Sequence, residues 1–165
     1  KYVDRNLGGS AKIGIVGALN STIQNVRQKG FTDTLAKNNN VKIVGIVDGR
    51  NISEKDMGAA ENLFTANPSM NAVYATGEPA LVGAIAATEA QGLEKDIKIF
   101  GWDLTSHSIN GIERGYVISV IQQSPYNMGV YAVDALDSTI KGGSVPRIVD
   151  VPVTLVTKSN VSQFK

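Results

Sequence analysis

Five short runs of β-branched and other apolar residues, each followed by a stretch with helical spacing, constrain this chain most. The runs are Lys12–Gly17, Val41–Val47, Ala72–Ala75, Ile97–Gly101 and Tyr116–Ile121. Each is continuous rather than alternating, as in strands covered on both faces. Between them, helices are expected from Asn20 or Ser21 to about Asn38, from Ser53 to Asn67-Pro68, from Ala80 to Gln91, and from Thr105 to Glu113. In the first of these, the apolar positions Ile23, Val26, Phe31 and Leu35 run along one face, which is expected to turn inward. A longer one follows from Ser124-Pro125 to about Ile140. Ser53 with Asp56 three residues on reads as a capping pair, Pro79 suits a first helical turn, and Gly92 and Gly115 suit C-caps. Strands alternating with helices predict an α/β fold, a doubly wound mostly parallel sheet of about five strands flanked by helices. A last extended segment, Ile148–Val156, comes with Pro146 and Pro152, which place it at an edge or in a crossover.

In such a sheet, ligands bind beyond the carboxyl ends of the strands. Those ends read Leu19-Asn20-Ser21, Asp48 to Asn51, Thr76-Gly77-Glu78, Trp102-Asp103 and Gln122-Gln123. Each offers a side chain that hydrogen-bonds. The fourth sets the only Trp of the chain beside a carboxylate. A flat aromatic face next to an acceptor suits a small polar molecule. Plainer readings stand beside this one. Trp102 can be core, Asp103 can cap the helix at Thr105, and Glu78 can complement a helix dipole. Asn20, Ser21 and Thr22 are adequate caps. Gln122 and Gln123 point to opposite faces of a strand, so only one can face a given cleft. His107, between two serines, reads as a solvated helix residue rather than a base.

Composition removes several function classes. The chain of 165 residues is long enough for one domain with a real core. Its net charge of +1 gives no electrostatic case for nucleic acid. It has no cysteine and one histidine, which excludes disulfides, thiolate catalysis and Cys-rich or multi-His metal sites. Gly14 and Gly17 invite a dinucleotide reading, but Gly14 lies within the strand and the turn reads Ala18-Leu19-Asn20-Ser21. The glycines that bring backbone N–H groups to a pyrophosphate are missing there, as are a P-loop and a G-x-S-x-G elbow. No cofactor is implied, and polar groups beside an aromatic face suffice for binding without chemistry.

The order of motifs adds a resemblance. Lys12-Ile13-Gly14-Ile15-Val16-Gly17 is followed by Gly30-Phe31, Glu61-Asn62-Leu63-Phe64 and Asn67-Pro68. Then come Glu78-Pro79-Ala80-Leu81, Phe100-Gly101-Trp102-Asp103, Gly111-Ile112-Glu113-Arg114-Gly115 and Gln122-Gln123-Ser124-Pro125. Over about Lys12 to Thr157 the chain resembles the carboxy-terminal half of type I periplasmic sugar-binding proteins, the ribose-binding-like solute receptors of ABC transporters. The resemblance implies a non-enzymatic receptor that binds a monosaccharide or related polyol in an interlobe cleft. This chain would supply one side of that cleft, and an amino-terminal lobe, from the same protein or another chain, the other.

It further implies that Asp103 binds sugar hydroxyls, that Trp102 packs on the ring, and that Gln123 reaches the ligand at the hinge. Thr76 takes the place of an asparagine common in the family, beside Glu78. Asn51 falls where the family has an aromatic, and Asn25 where it has a cation, with Arg27 two residues on. Asn20 completes the expected rim. The implied division is a helix end or linker over residues 1–9, a ligand-binding lobe over 10–123, a helix of the absent lobe over 124–143, and a return strand and tail over 144–165. The implied partner is a membrane permease, and the implied location is periplasmic or otherwise extracytoplasmic, with or without a membrane anchor. The effector domain of a LacI-like transcription regulator shares the fold and is the second reading. Ile112-Glu113-Arg114-Gly115 favours the receptor, since the regulators usually carry a proline-containing turn there. A Rossmann-type nucleotide-dependent enzyme is the third, and the missing glycine turn counts against it.

Overall fold

The computed structural model describes residues 6–7 and 10–165. Most of the helix end expected over residues 1–9 therefore lies outside the described residues. Six strands form one sheet in the order β2-β1-β3-β4-β5-β6. They are β1 (Ala11–Gly17), β2 (Val41–Asp48), β3 (Ala72–Ala75), β4 (Lys98–Trp102), β5 (Val117–Gln122) and β6 (Thr154–Val156). The first five are parallel, as the continuous apolar runs predict. The sixth is antiparallel to β5. Only three residues of the expected Ile148–Val156 segment are strand; Pro152, which cannot donate to a ladder, stands just before them.

The helices are α1 (Thr22–Leu35), α2 (Ser53–Ala66), α3 (Glu78–Ala90), α4 (Ser106–Arg114) and α5 (Pro125–Ile140). The path from β1 to β2 runs one way along the sheet, and the path from β2 through β3 and β4 to β5 runs the other. Right-handed crossovers then place α1 on one face and α2, α3 and α4 together on the other. The core divides accordingly. The larger cluster, with Leu63, Phe64, Leu81, Ile85, Ile99 and Ile112, lies under α2, α3 and α4. The smaller, with Ile13, Ile15, Tyr74 and Phe100, lies under α1 and also receives Leu7. Gly101 lets β4 approach α3, since a Cβ there would stand 2.7 Å from Leu81 Cδ1.

Two expectations are corrected. Ile23 and Val26 were expected on the inward face of α1, yet they are 60% and 62% exposed, while Gln24 is 5% exposed. The inward stripe is Gln24, Arg27, Phe31 and Leu35, spaced three or four residues apart. At α2, Ser53 is the first helical residue and Ile52 the N-cap, with no side-chain cap bond. Asp56 is not available for a capping pair because it turns inward and is fully buried. By contrast, Ser21 caps α1 and Thr105 caps α4 in a reciprocal box with Ser108.

Helix α5 buries none of its residues. Tyr126, Val133, Leu136 and Ile140 are all exposed. The helix therefore does not pack back on the sheet.

Candidate functional site

The parallel register brings the carboxyl ends of β1 to β5 to one rim, and backbone bonds tie them there. Gly49 N donates to Gly17 O, Thr76 N to Val16 O, and Asp103 N to Ile121 O, all within 3.0 Å. The sheet order reverses between β1 and β3, so the switch-point crevice opens beside Thr76 and the start of α1.

The centre of the rim is a charged cluster. Gln123 Nε2 donates to Asp103 Oδ1 at 2.7 Å, and Arg27 Nη1 lies 3.7 Å from Asp103 Oδ2. The same Arg27 nitrogen donates to Thr76 O at 3.1 Å. Its guanidinium sits over the Trp102 ring, 4.0 Å from the centroid. A cation over an indole face adds about 0.5–2 kcal/mol, more as water is excluded. Trp102 Nε1 in turn donates to Tyr74 Oη at 2.8 Å, and Tyr74 stacks on Phe31 at 3.9 Å between centroids. Burial pushes the Tyr74 phenol above its ordinary value, against the lowering effects of the Trp102 bond and the Arg27 charge. It is therefore neutral and accepts at physiological pH. Arg27 is thus fixed from three sides, with its side chain 12% exposed and that of Asp103 24%.

Asp103 adopts a left-handed backbone, φ +64°. Thr105 provides the cap of α4, so capping does not account for Asp103. Its partners are instead the two groups that lean in from α1 and from the end of β5. Gln122 and Gln123 do divide as strand geometry requires. Gln122 Oε1 accepts from Leu104 N at 2.6 Å, leaving Gln123 for the rim.

A second chain of bonds runs through Gln24. Its Nε2 donates to Asn51 Oδ1, and its Oε1 accepts from Thr76 Oγ1, both at 2.6 Å. Thr76 is fully buried, so its hydroxyl serves Gln24 and its carbonyl serves Arg27. Asn51 is exposed at the tip of the β2–α2 loop, where it and Arg50 both have positive φ, 63° and 57°. Such a conformation costs about 1–2 kcal/mol per non-glycine residue, with asparagine the most tolerant. Asp48 holds the loop, its Oδ1 accepting from Leu19 N and Arg50 N.

The structure thus gathers Asp103, Trp102, Gln123, Thr76 and Asn51 around Arg27 and Gln24. Three expected residues stand apart. Asn25 is exposed and turns to Leu19 O at 2.9 Å, and the cation expected near it is Arg27. Asn20 and Glu78 are exposed, Glu78 in the first turn of α3, with no ion pair among the described residues. Gln24 was missed because hydropathy assigned the inward face of α1 to Ile23 and Val26. Its three- and four-residue spacing with Arg27, Phe31 and Leu35 is the signal that finds it. Beside the rim, on the α1 side of the sheet, lies a recess of about 450 Å³ lined by Val26, Phe31, Phe100, Ile121 and Leu155, with Arg27 and Trp102 also in its wall. Its walls are mostly apolar, so hydroxyl groups would go unpaired there.

The sequence model of the periplasmic binding protein domain matches residues 1–144. The chain belongs to this family. Within the periplasmic binding protein family it is similar to the ribose import binding protein of Escherichia coli K12, 28% identical over 159 residues. That match takes in 95% of this chain and 53% of the relative. It is also similar to a putative rhizopine-binding protein of Rhizobium meliloti, 29% identical over 164 residues, or 96% of this chain and 53% of the relative. The chain spans about half the length of these curated relatives. Among solved structures, a glucose-galactose binding protein from Geobacillus stearothermophilus superposes with a TM-score of 0.91 at 23% identity. It covers 96% of this chain and 57% of that one, and at that identity it speaks for the fold. The family model thus shows a periplasmic binding protein domain, and these two curated relatives are named for ribose import and for rhizopine binding.

Proposed function

We propose that this chain forms one wall of an interlobe cleft that binds a neutral monosaccharide or related polyol for an ABC importer. The observation that carries the reading is the Arg27–Asp103–Gln123 cluster beside Trp102 at the carboxyl ends of the strands. A carboxylate accepts from hydroxyls, a guanidinium and an amide donate to them, and an indole covers apolar C–H surface. Arg27 and Asp103 cancel in charge, which suits a neutral ligand. One face of Trp102 already carries Arg27, so sugar packing falls to what remains exposed of the ring. In this reading Asp103, Gln123, Arg27 and Asn51 touch the ligand, while Thr76 and Gln24 position them. Asn20, Asn25 and Glu78 lie at the margin, within reach of a ligand only as the cleft closes.

An amino-terminal lobe supplies the other wall and closes by hinge motion. Residues 10–123 then form the lobe described here and α5 belongs to the opposite one, which explains an apolar helix with no buried residue. Joined to that lobe, α5 is expected to exchange its amide hydrogens at least about tenfold more slowly than in this chain alone. Equal rates would remove it from the interface. The relatives named for ribose import and for rhizopine binding support a sugar or polyol as ligand and an importer's membrane permease as partner, and the periplasmic family match supports an extracytoplasmic location. No described helix is long and apolar enough to cross a membrane. Calorimetric titration of the two-lobed protein with neutral pentoses, hexoses and inositols tests the reading. Binding by at least one, at micromolar Kd or tighter, is expected; a panel without heat of binding sinks it.

A further inference from the structure

Asp56 takes no part in the rim, yet it is fully buried in the first turn of α2 and neither carboxylate oxygen has a hydrogen-bond partner. It packs under the β2–α2 loop and against α3. A Cβ on Gly49 would collide with its carboxylate, and one on Gly83 with its Cβ. The groove between loop and helix is therefore closed to larger side chains at both neighbours. The loop above it carries Asp48 at one end and Asn51 at its tip, and Asn51 is the acceptor that holds Gln24.

The geometry points to Asp56 as a proton-dependent positioning residue for the β2–α2 loop. When protonated, it lies neutral beneath Gly49 and the loop holds Asn51 on Gln24. When ionised, it is a buried anion with no donor, and relief requires the loop to lift and admit water. Lifting the loop breaks the Asn51–Gln24–Thr76 chain, so the rim loosens as the proton leaves.

The charged groups on the surrounding elements do not offset this. The loop brings Asp48 and Arg50, α3 brings Glu78 and Glu89, and α2 itself carries Glu54, Lys55 and Glu61. Arg114 pairs with Glu89 at a distance from the site. No cation among the described residues pairs with Asp56. Asp48, an anion, is the charged group that acts on it. Burial first, and then Asp48, pushes the Asp56 carboxyl up from its ordinary 3.8 to about 6. The folded state therefore holds this proton more tightly than the unfolded chain. Its stabilising effect is complete below 3.8 and is lost as pH rises through about 6.

The inference does not depend on what the rim binds, so its test needs no ligand. Carbon-13 NMR of the Asp56 carboxyl, with proton–nitrogen spectra of the Asn51 and Gln24 side-chain amides, is recorded across the mildly acid to neutral range. All three signals are expected to move with one midpoint near 6. In Asp56→Asn the two amides are expected to stay still across that range, and the melting temperature to lose the fall that the natural chain shows. A carboxyl midpoint in the ordinary carboxylate range overturns the proposal. So does a midpoint near 6 with the Asn51 and Gln24 amides unmoved. If Asp56→Asn fails to fold, the titration of the natural chain alone decides between these results.

Discussion

Asp103→Ala in the two-lobed protein is expected to weaken sugar binding at least about 100-fold, roughly 3 kcal/mol or more. The loss has two parts. The ligand hydroxyls lose a charged acceptor, and Arg27 loses the anion that faces it across 3.7 Å. Backbone conformation complicates the alanine variant, because residue 103 has φ +64°, which alanine adopts at a cost and asparagine tolerates. Asp103→Asn separates these effects. It keeps the left-handed turn and one oxygen for Gln123 but removes the charge, so its affinity should fall between the natural protein and the alanine variant. Titration calorimetry at one salt concentration measures both. An affinity unchanged in Asp103→Ala would remove this residue from the site.

Arg27→Ala is expected to harm stability as well as binding. The side chain holds Thr76 O, covers one face of Trp102 and offsets Asp103. Removing it uncovers the indole and leaves a part-buried carboxylate with Gln123 as its remaining donor. Urea unfolding should show a loss of about 1–3 kcal/mol, and sugar affinity should drop at least about tenfold. Arg27→Lys restores the charge but not the planar stack or the fork of donors, so it should recover part of the stability and little of the affinity. The sole Trp of the chain reports the same event, since losing the cation above its ring should shift its fluorescence. A variant with natural stability and natural emission would show that the guanidinium is not seated on Trp102.

The sheet was legible because its strands read as unbroken apolar runs, buried on both faces in β1 and β3 though only half-buried in the edge strand β2. Parallel order and the convergence of strand ends on one rim followed from the alternation with helices. Asp103, Trp102 and Gln123 were legible for the same reason, since each sits where a strand must stop. What misled was local chemistry that tertiary packing overrode. On α1, Ile23 and Val26 look like the inward face by hydropathy, but the helix turns Gln24 and Arg27 inward because polar partners wait for them at Asn51, Thr76 and Asp103. A stripe that mixes Phe31 and Leu35 with a glutamine and an arginine is legible as spacing and not as hydrophobicity. At α2, Ser53 and Asp56 have the spacing of a capping pair, yet glycines at 49 and 83 leave room for Asp56 to turn inward. The short β6 was legible only as an edge, since the extent of its pairing is set by the last three residues of β5.

The direct measurement is a crystal structure of the two-lobed protein with the tightest ligand from the sugar panel. Ligand hydroxyls are expected within hydrogen-bond distance of the Asp103 carboxylate and the Arg27 guanidinium, at the carboxyl ends of the strands. A ligand seated in the apolar recess under α1, or held without contact to Asp103, would contradict it.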